Sequence, residues 1–191
     1  MAFTGKNVED RVFYIAGQLG FDLRQYLRIH NRQMWGVLID IDTNQFLHFF
    51  GNPPAHFLPT INQSFVHSEA GYKVDVGSHF TDLGVNADVF LISKDRLNDS
   101  LEDIDSLIVH ELCHMLIDSE YLVNTNVRID SKDRHQGKVL RSKVDKDPAR
   151  RHDRKFCNLL AALAEDLANI NKRFVDRWDI INRAMKHGDM L

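Results

Sequence analysis

Two histidines one helical turn apart, with a glutamate beside the first, are the residues whose spacing could do chemistry: His110, Glu111 and His114 in the stretch SLIVHELCHMLID. On a helix, positions i and i+4 lie on one side, so both imidazoles can face a single metal ion. Glu111 is turned by about 100° from His110, which keeps it near the metal without competing as a ligand. Zinc held by three protein ligands keeps one open position, lowers the pKa of the water there to about 7 and polarises a carbonyl. A neighbouring carboxylate then takes the water's proton and passes it to the leaving amine. The pattern therefore points to Zn2+-dependent hydrolysis of peptide bonds, with His110 and His114 as ligands and Glu111 as the base. The bland alternative is a buried helix that carries two histidines and no metal.

A catalytic zinc needs a third protein donor, and three candidates present themselves. Glu120 stands where the compact HExxHxxGxxH arrangement has its last ligand, but the turn there requires glycine and the chain has Ile117. His135 lies in the polar stretch RIDSKDRHQGK, where no periodicity fixes its direction. His152 shares helical spacing with Phe156, Leu159, Leu160, Leu163 and Ile170, so it points with the apolar side of a later helix and is the preferred ligand. Tyr121, His135 and the arginines near His152 are candidates for stabilising an oxyanion, and the sequence does not choose among them.

These residues need a frame. Val8, Val12, Ile15, Ala16 and Leu19 have the spacing of one helical face, with Gly20 as a stop, and FDLRQYLRIH continues as a second short helix. The period then changes to two: MWGVLIDID and QFLHFFG flank Thr43 and Asn44 as a hairpin, while GYKVDVGS and ADVFLIS read as further strands. NPPAHFLP is a loop. Ser100 and Asp103 form a capping pair for a helix from Leu101 to Glu120, with Leu101, Ile104, Ile108, Leu112 and Met115 as its core stripe. After a long polar connection, Asp147 and Pro148 are placed to open the helix that carries His152, and a last helix ends at Gly188. The expected fold is α+β, a single domain over residues 1–191. N-terminal helices precede a small, mainly antiparallel sheet, an active-site helix packed beneath it, and a helix bearing the third ligand.

With 43% hydrophobic and 27% charged residues in 191, the composition is that of a globular domain rather than a disordered or fibrous chain. No signal peptide or membrane-spanning run is recognisable, and the only cysteines, Cys113 and Cys157, read as reduced thiols; a cytoplasmic location is expected. The net charge of -3 hides an uneven distribution, because Arg128 to Lys155 holds eleven Lys and Arg against five Asp. That segment reads as a solvated loop or as a basic lip for DNA or another acidic partner.

DVFLISKDRLNDSLEDIDSLIVHELCHMLI followed by RHDRKFCNLL resembles the SprT-like zinc metallopeptidase domain, the group that includes bacterial SprT and the Spartan DNA-protein crosslink protease. In that family a strand precedes the HExxH helix, and a third histidine opens an H-x-x-x-F segment at the start of a later helix. Those features fall on Val89 to Ser93, on His110, Glu111 and His114, and on His152 with Phe156. The resemblance implies a zincin-like fold, zinc, a Glu111 base and an extended protein or peptide substrate lying along the preceding strand by β-addition. The connection from His114 to His152 is long for the family, and the cysteines lack the spacing of its C-terminal zinc ribbon. A non-catalytic metal-binding regulator, or a nucleic-acid-associated protein on the same scaffold, is the reading from a different class.

Overall fold

A computed structural model describes residues 4–40, 45–49, 78–81, 87–94, 97, 100–118, 127–188 and 190–191. Helices α1 (Gly5–Gln18) and α2 (Leu23–Ile29) precede strands β1 (Gln33–Asp40), β2 (Gln45–Phe49), β3 (Ser78–Thr81) and β4 (Ala87–Ser93). Helices α3 (Leu101–Asp118), α4 (Ser131–Lys143), α5 (Arg154–Ile170) and α6 (Arg177–His187) follow. The α+β class is as expected. The segments NPPAHFLP and GYKVDVG, with Glu120 and Tyr121, lie outside the described residues.

The N-terminal elements follow local chemistry. Thr4 and Asn7 form a reciprocal capping box at the start of α1, and Gly20 takes the left-handed conformation, φ 82°, that lets the chain turn into α2. The four strands form one sheet in the order β2-β1-β4-β3. β1 pairs antiparallel with β2, as the hairpin reading requires. It also pairs parallel with β4, Gln33 opposite Ala87 through Ile39 opposite Ser93, and β3 is antiparallel to β4. Two of the three ladders are therefore antiparallel. β4 is paired on both sides over Asp88 to Leu91, and among the described strands the outer edges belong to β2 and β3.

Helix α3 is buried all the way round, from Asp103 to Met115 and Leu116, and not only along the apolar stripe. It is enclosed by α1, α5, α6 and the sheet. Its two buried aspartates are paired with arginines. Arg11 makes a two-pronged contact to Asp105, Nε to Oδ1 at 3.0 Å and Nη2 to Oδ2 at 2.6 Å, and Arg173 Nη2 reaches the same Oδ2 at 2.9 Å. Arg183 Nη1 bonds Asp103 Oδ1 at 2.8 Å. Burial pushes the Asp105 carboxyl upward against the pull of both guanidinium groups.

Two expectations about the second half are corrected. The polar connection contains α4, whose buried positions Asp133, Gly137 and Leu140 have helical spacing, but only Leu140 brings an apolar side chain. Asp133 is capped into a box with Asp130 and accepts from Arg177 Nη1 at 2.8 Å. Gly137 meets α5 so closely that a Cβ would stand 2.8 Å from Asn158 Cα. A charge partner and a helix contact replace hydrophobic burial there, which hides the helix from periodicity. Second, Asp147 and Pro148 start only a single 3₁₀ turn, Pro148–Arg150. Asp153 is the N-cap of α5, accepting from the Phe156 amide at 2.9 Å, so His152 precedes the helix instead of lying on its face.

Glu9 on α1 offers a test of this packing. It is buried, its Oε2 has no hydrogen-bond partner among the described residues, and burial raises its pKa to about 7 despite Lys6. The folded protein therefore holds a proton that the unfolded chain releases near its ordinary value, so stability falls as pH rises from about 4.5 through 7. Glu9→Gln should stabilise the fold by about 1 kcal/mol at pH 8 and have little effect at pH 4, as read by urea denaturation.

Candidate metal centre

His110 and His114 project from adjacent turns of α3, and the turn between Pro148–Arg150 and α5 delivers His152 to them. The ring centroids are 4.9 Å apart for His110 and His114, 5.0 Å for His110 and His152, and 5.2 Å for His114 and His152. Each imidazole offers one nitrogen, and the three nitrogens lie within 4.8 Å of one another. All three residues are buried. They are close enough to bind one metal ion, and the sequence choice of His152 over His135 matches this geometry. His135 is exposed on α4 and is not part of the cluster.

The local chain explains the placement. Arg151 adopts a left-handed conformation, φ 55° and ψ 29°, which costs a non-glycine residue about 1 kcal/mol and swings His152 inward before Asp153 caps α5. Phe156, fully buried one turn into α5, forms the floor: its ring stacks on His114 at 4.4 Å and meets His110 and His152 at 5.1 and 4.9 Å. Gly188, at the end of α6, backs His110 so tightly that a Cβ there would lie 2.7 Å from Nδ1. Sequence periodicity identified Gly188 only as a helix stop, and Arg151 carried no signal at all.

The donor set suits a divalent cation. Burial, followed by the charges of His114 and His152, holds His110 well below the usual imidazole range, so it is a neutral lone-pair donor. Its Nδ1 is buried with no hydrogen-bond partner among the described residues, unmet polar capacity within the cluster that a bound cation would help to balance. Glu111 is 2% exposed, with Oε1 3.6 Å from His110 Nε2, in reach of the cluster but outside the three-nitrogen set. Cys113 and Cys157 are free and buried, and burial pushes the Cys157 thiol up to about 12, so neither competes as a thiolate. His187 pairs with Asp103 at 3.2 Å and takes no part in the cluster. One side of the cluster is open: a pocket of about 370 Å³ is lined by His114, His152, Ile117, Arg141 and the Asp145–Asp153 turn.

The chain matches no protein-family model, no curated protein and no solved structure. Among the described residues no helix is long and apolar enough to cross a membrane.

Elemental analysis of protein purified without chelators should find about one metal ion per chain in wild type and His135→Ala, and almost none in His152→Ala. Added zinc should raise the melting temperature of the metal-depleted wild type, by about 2.7 kcal/mol in stability at a hundredfold excess over Kd, and leave His152→Ala unmoved.

Proposed function

We propose that the chain is a zinc-dependent metalloendopeptidase with a zincin-type active site of the SprT-like kind. The observation that carries this reading is the convergence of His152 on the His110-Glu111-x-x-His114 helix, beside an open pocket. His110, His114 and His152 would hold the ion, and three imidazole nitrogens suit zinc among the divalent metals. Bound there, zinc supplies Lewis acidity, which acidifies water and polarises a substrate carbonyl.

The protein's own groups do the rest. Glu111 accepts a proton on its carboxylate and returns it to the departing amine, and its burial beside His110 keeps that carboxylate in place. Phe156 excludes water from the floor and fixes the His114 ring plane. An extended segment of a protein substrate can align along edge strand β3, whose partner β4 leads toward α3. A cytoplasmic setting fits the two reduced, buried thiols.

Glu111→Gln preserves size and packing but cannot take a proton. It should retain about one metal per chain while cleavage of an unfolded, fluorescence-quenched protein substrate drops by about 10²- to 10⁴-fold. Equal activity in the two proteins would favour a metal-binding regulator on the same scaffold.

One observation favours an additional acidic partner. Lys132, Arg134 and Lys138 are exposed on α4, and Arg154 and Lys155 are exposed where α5 begins, with Arg154 Nη2 bonded to the Arg134 carbonyl at 2.7 Å. A DNA duplex bound by this basic face should dissociate steeply with salt, with a log–log slope near -0.9 for each phosphate neutralised. A flat response would remove DNA from the account.

A further inference from the structure

The pocket beside the metal cluster contains a cationic donor that the reaction described above does not use. Arg141, on the last turn of α4, lines the pocket together with His114 and His152. Its Nη1 is buried and has no hydrogen-bond partner among the described residues. A guanidinium nitrogen removed from water without an acceptor is costly, and a ligand that supplies the acceptor recovers that cost.

The acidic groups on the same wall are already engaged. Asp145 accepts from the Asp147 amide at 2.9 Å and lies 3.5 Å from Arg150 Nε. Asp147 caps the 3₁₀ turn through the Ala149 amide at 3.0 Å, and Asp153 caps α5 through the Phe156 amide at 2.9 Å. These carboxylates hold the turn that presents His152, and among the described residues none of them accepts from Arg141 Nη1. Lys146 and Arg151 add two more cations to the lining. Three aspartates balance these three cations in formal charge, but the aspartates are engaged, and a cation held by the three histidines would bias the pocket toward a negatively charged occupant.

We infer that Arg141 is a specificity-determining residue that binds a carboxylate of the substrate within this pocket. Resting on the metallopeptidase reading, this assigns the substrate class as peptides with a carboxylate close to the scissile bond. The group is either an Asp or Glu side chain or a free C-terminus. The planar fork of arginine matches the two oxygens of a carboxylate, which a neutral amide cannot reproduce. A volume of about 370 Å³ accommodates a side chain or a chain end rather than a folded domain.

The test is a binding titration on zinc-loaded Glu111→Gln protein, in which turnover is suppressed, with metal content measured on every sample. Blocked alanine pentapeptides carrying a central Glu or Gln form one pair. Otherwise identical peptides ending in a free acid or an amide form the second pair, so the two pairs separate the two sources of carboxylate. At least one acid peptide should bind about tenfold more tightly than its neutral twin. Arg141→Gln should erase that difference without changing the affinity of the neutral peptide or the metal content. Arg141→Lys, which keeps the charge and loses the fork, should retain only part of it. Equal binding within both pairs, a preference that survives Arg141→Gln, or no detectable binding of either acid peptide at millimolar concentration would overturn the assignment while leaving the metal site intact. An Arg141-dependent preference in protein that holds no metal would sustain the carboxylate site and remove the peptidase reading instead.

Discussion

Three imidazoles buried within 4.8 Å of one another constrain the rest of this molecule. Burial and the charges of His114 and His152 both oppose protonation of His110, whose Nδ1 has no hydrogen-bond partner among the described residues. Such a cluster persists only if the helix beneath it is held rigidly. Helix α3 is held from every side: Arg11 and Arg173 grip Asp105, Arg183 and His187 meet Asp103, and the sheet and three helices cover the remainder. These ion pairs add little net stability once desolvation is counted, but breaking one would strand a buried charge on the metal-site helix.

The same logic accounts for the entry of His152. It arrives from a turn, and turns are ordinarily the least constrained part of a fold. Here the turn is fixed by a left-handed Arg151, by aspartate caps at Asp147 and Asp153, and by Phe156 packed under all three rings. Close helix contact at Gly137 holds α4 against α5, so the wall bearing Arg141 and the floor bearing Phe156 keep a fixed separation.

What the sequence disclosed follows from which interactions leave a periodic trace. Helix α3 and the terminal helix bury apolar residues at regular intervals and were legible, α3 with its limits nearly right and α6 by its stop at Gly188, while the hairpin strands were legible from their alternating sequence. The histidine pair was legible because the i, i+4 spacing puts both imidazoles on one side of a helix. Helix α4 was not, because its inner face is Asp133, Gly137 and Leu140, and only tertiary partners make the first two residues buried ones. His152 does join the histidine cluster, but the premise that placed it there was partly wrong. Its spacing to Phe156 was real, yet the Asp153 cap, which competes with Asp147 and Pro148 for the helix start, sets it one step outside α5. The parallel pairing of β1 with β4 was invisible for a simpler reason: strand order depends on a long crossover that no local pattern encodes.

X-ray absorption at the zinc edge of the purified, zinc-loaded protein addresses the central claim most directly, because it reads the ligand atoms around the ion. The account predicts three imidazole nitrogens at about 2.0–2.1 Å with one or two further light atoms and no sulfur. A sulfur shell at about 2.3 Å, or scattering from fewer than three imidazoles, would contradict the site formed by His110, His114 and His152.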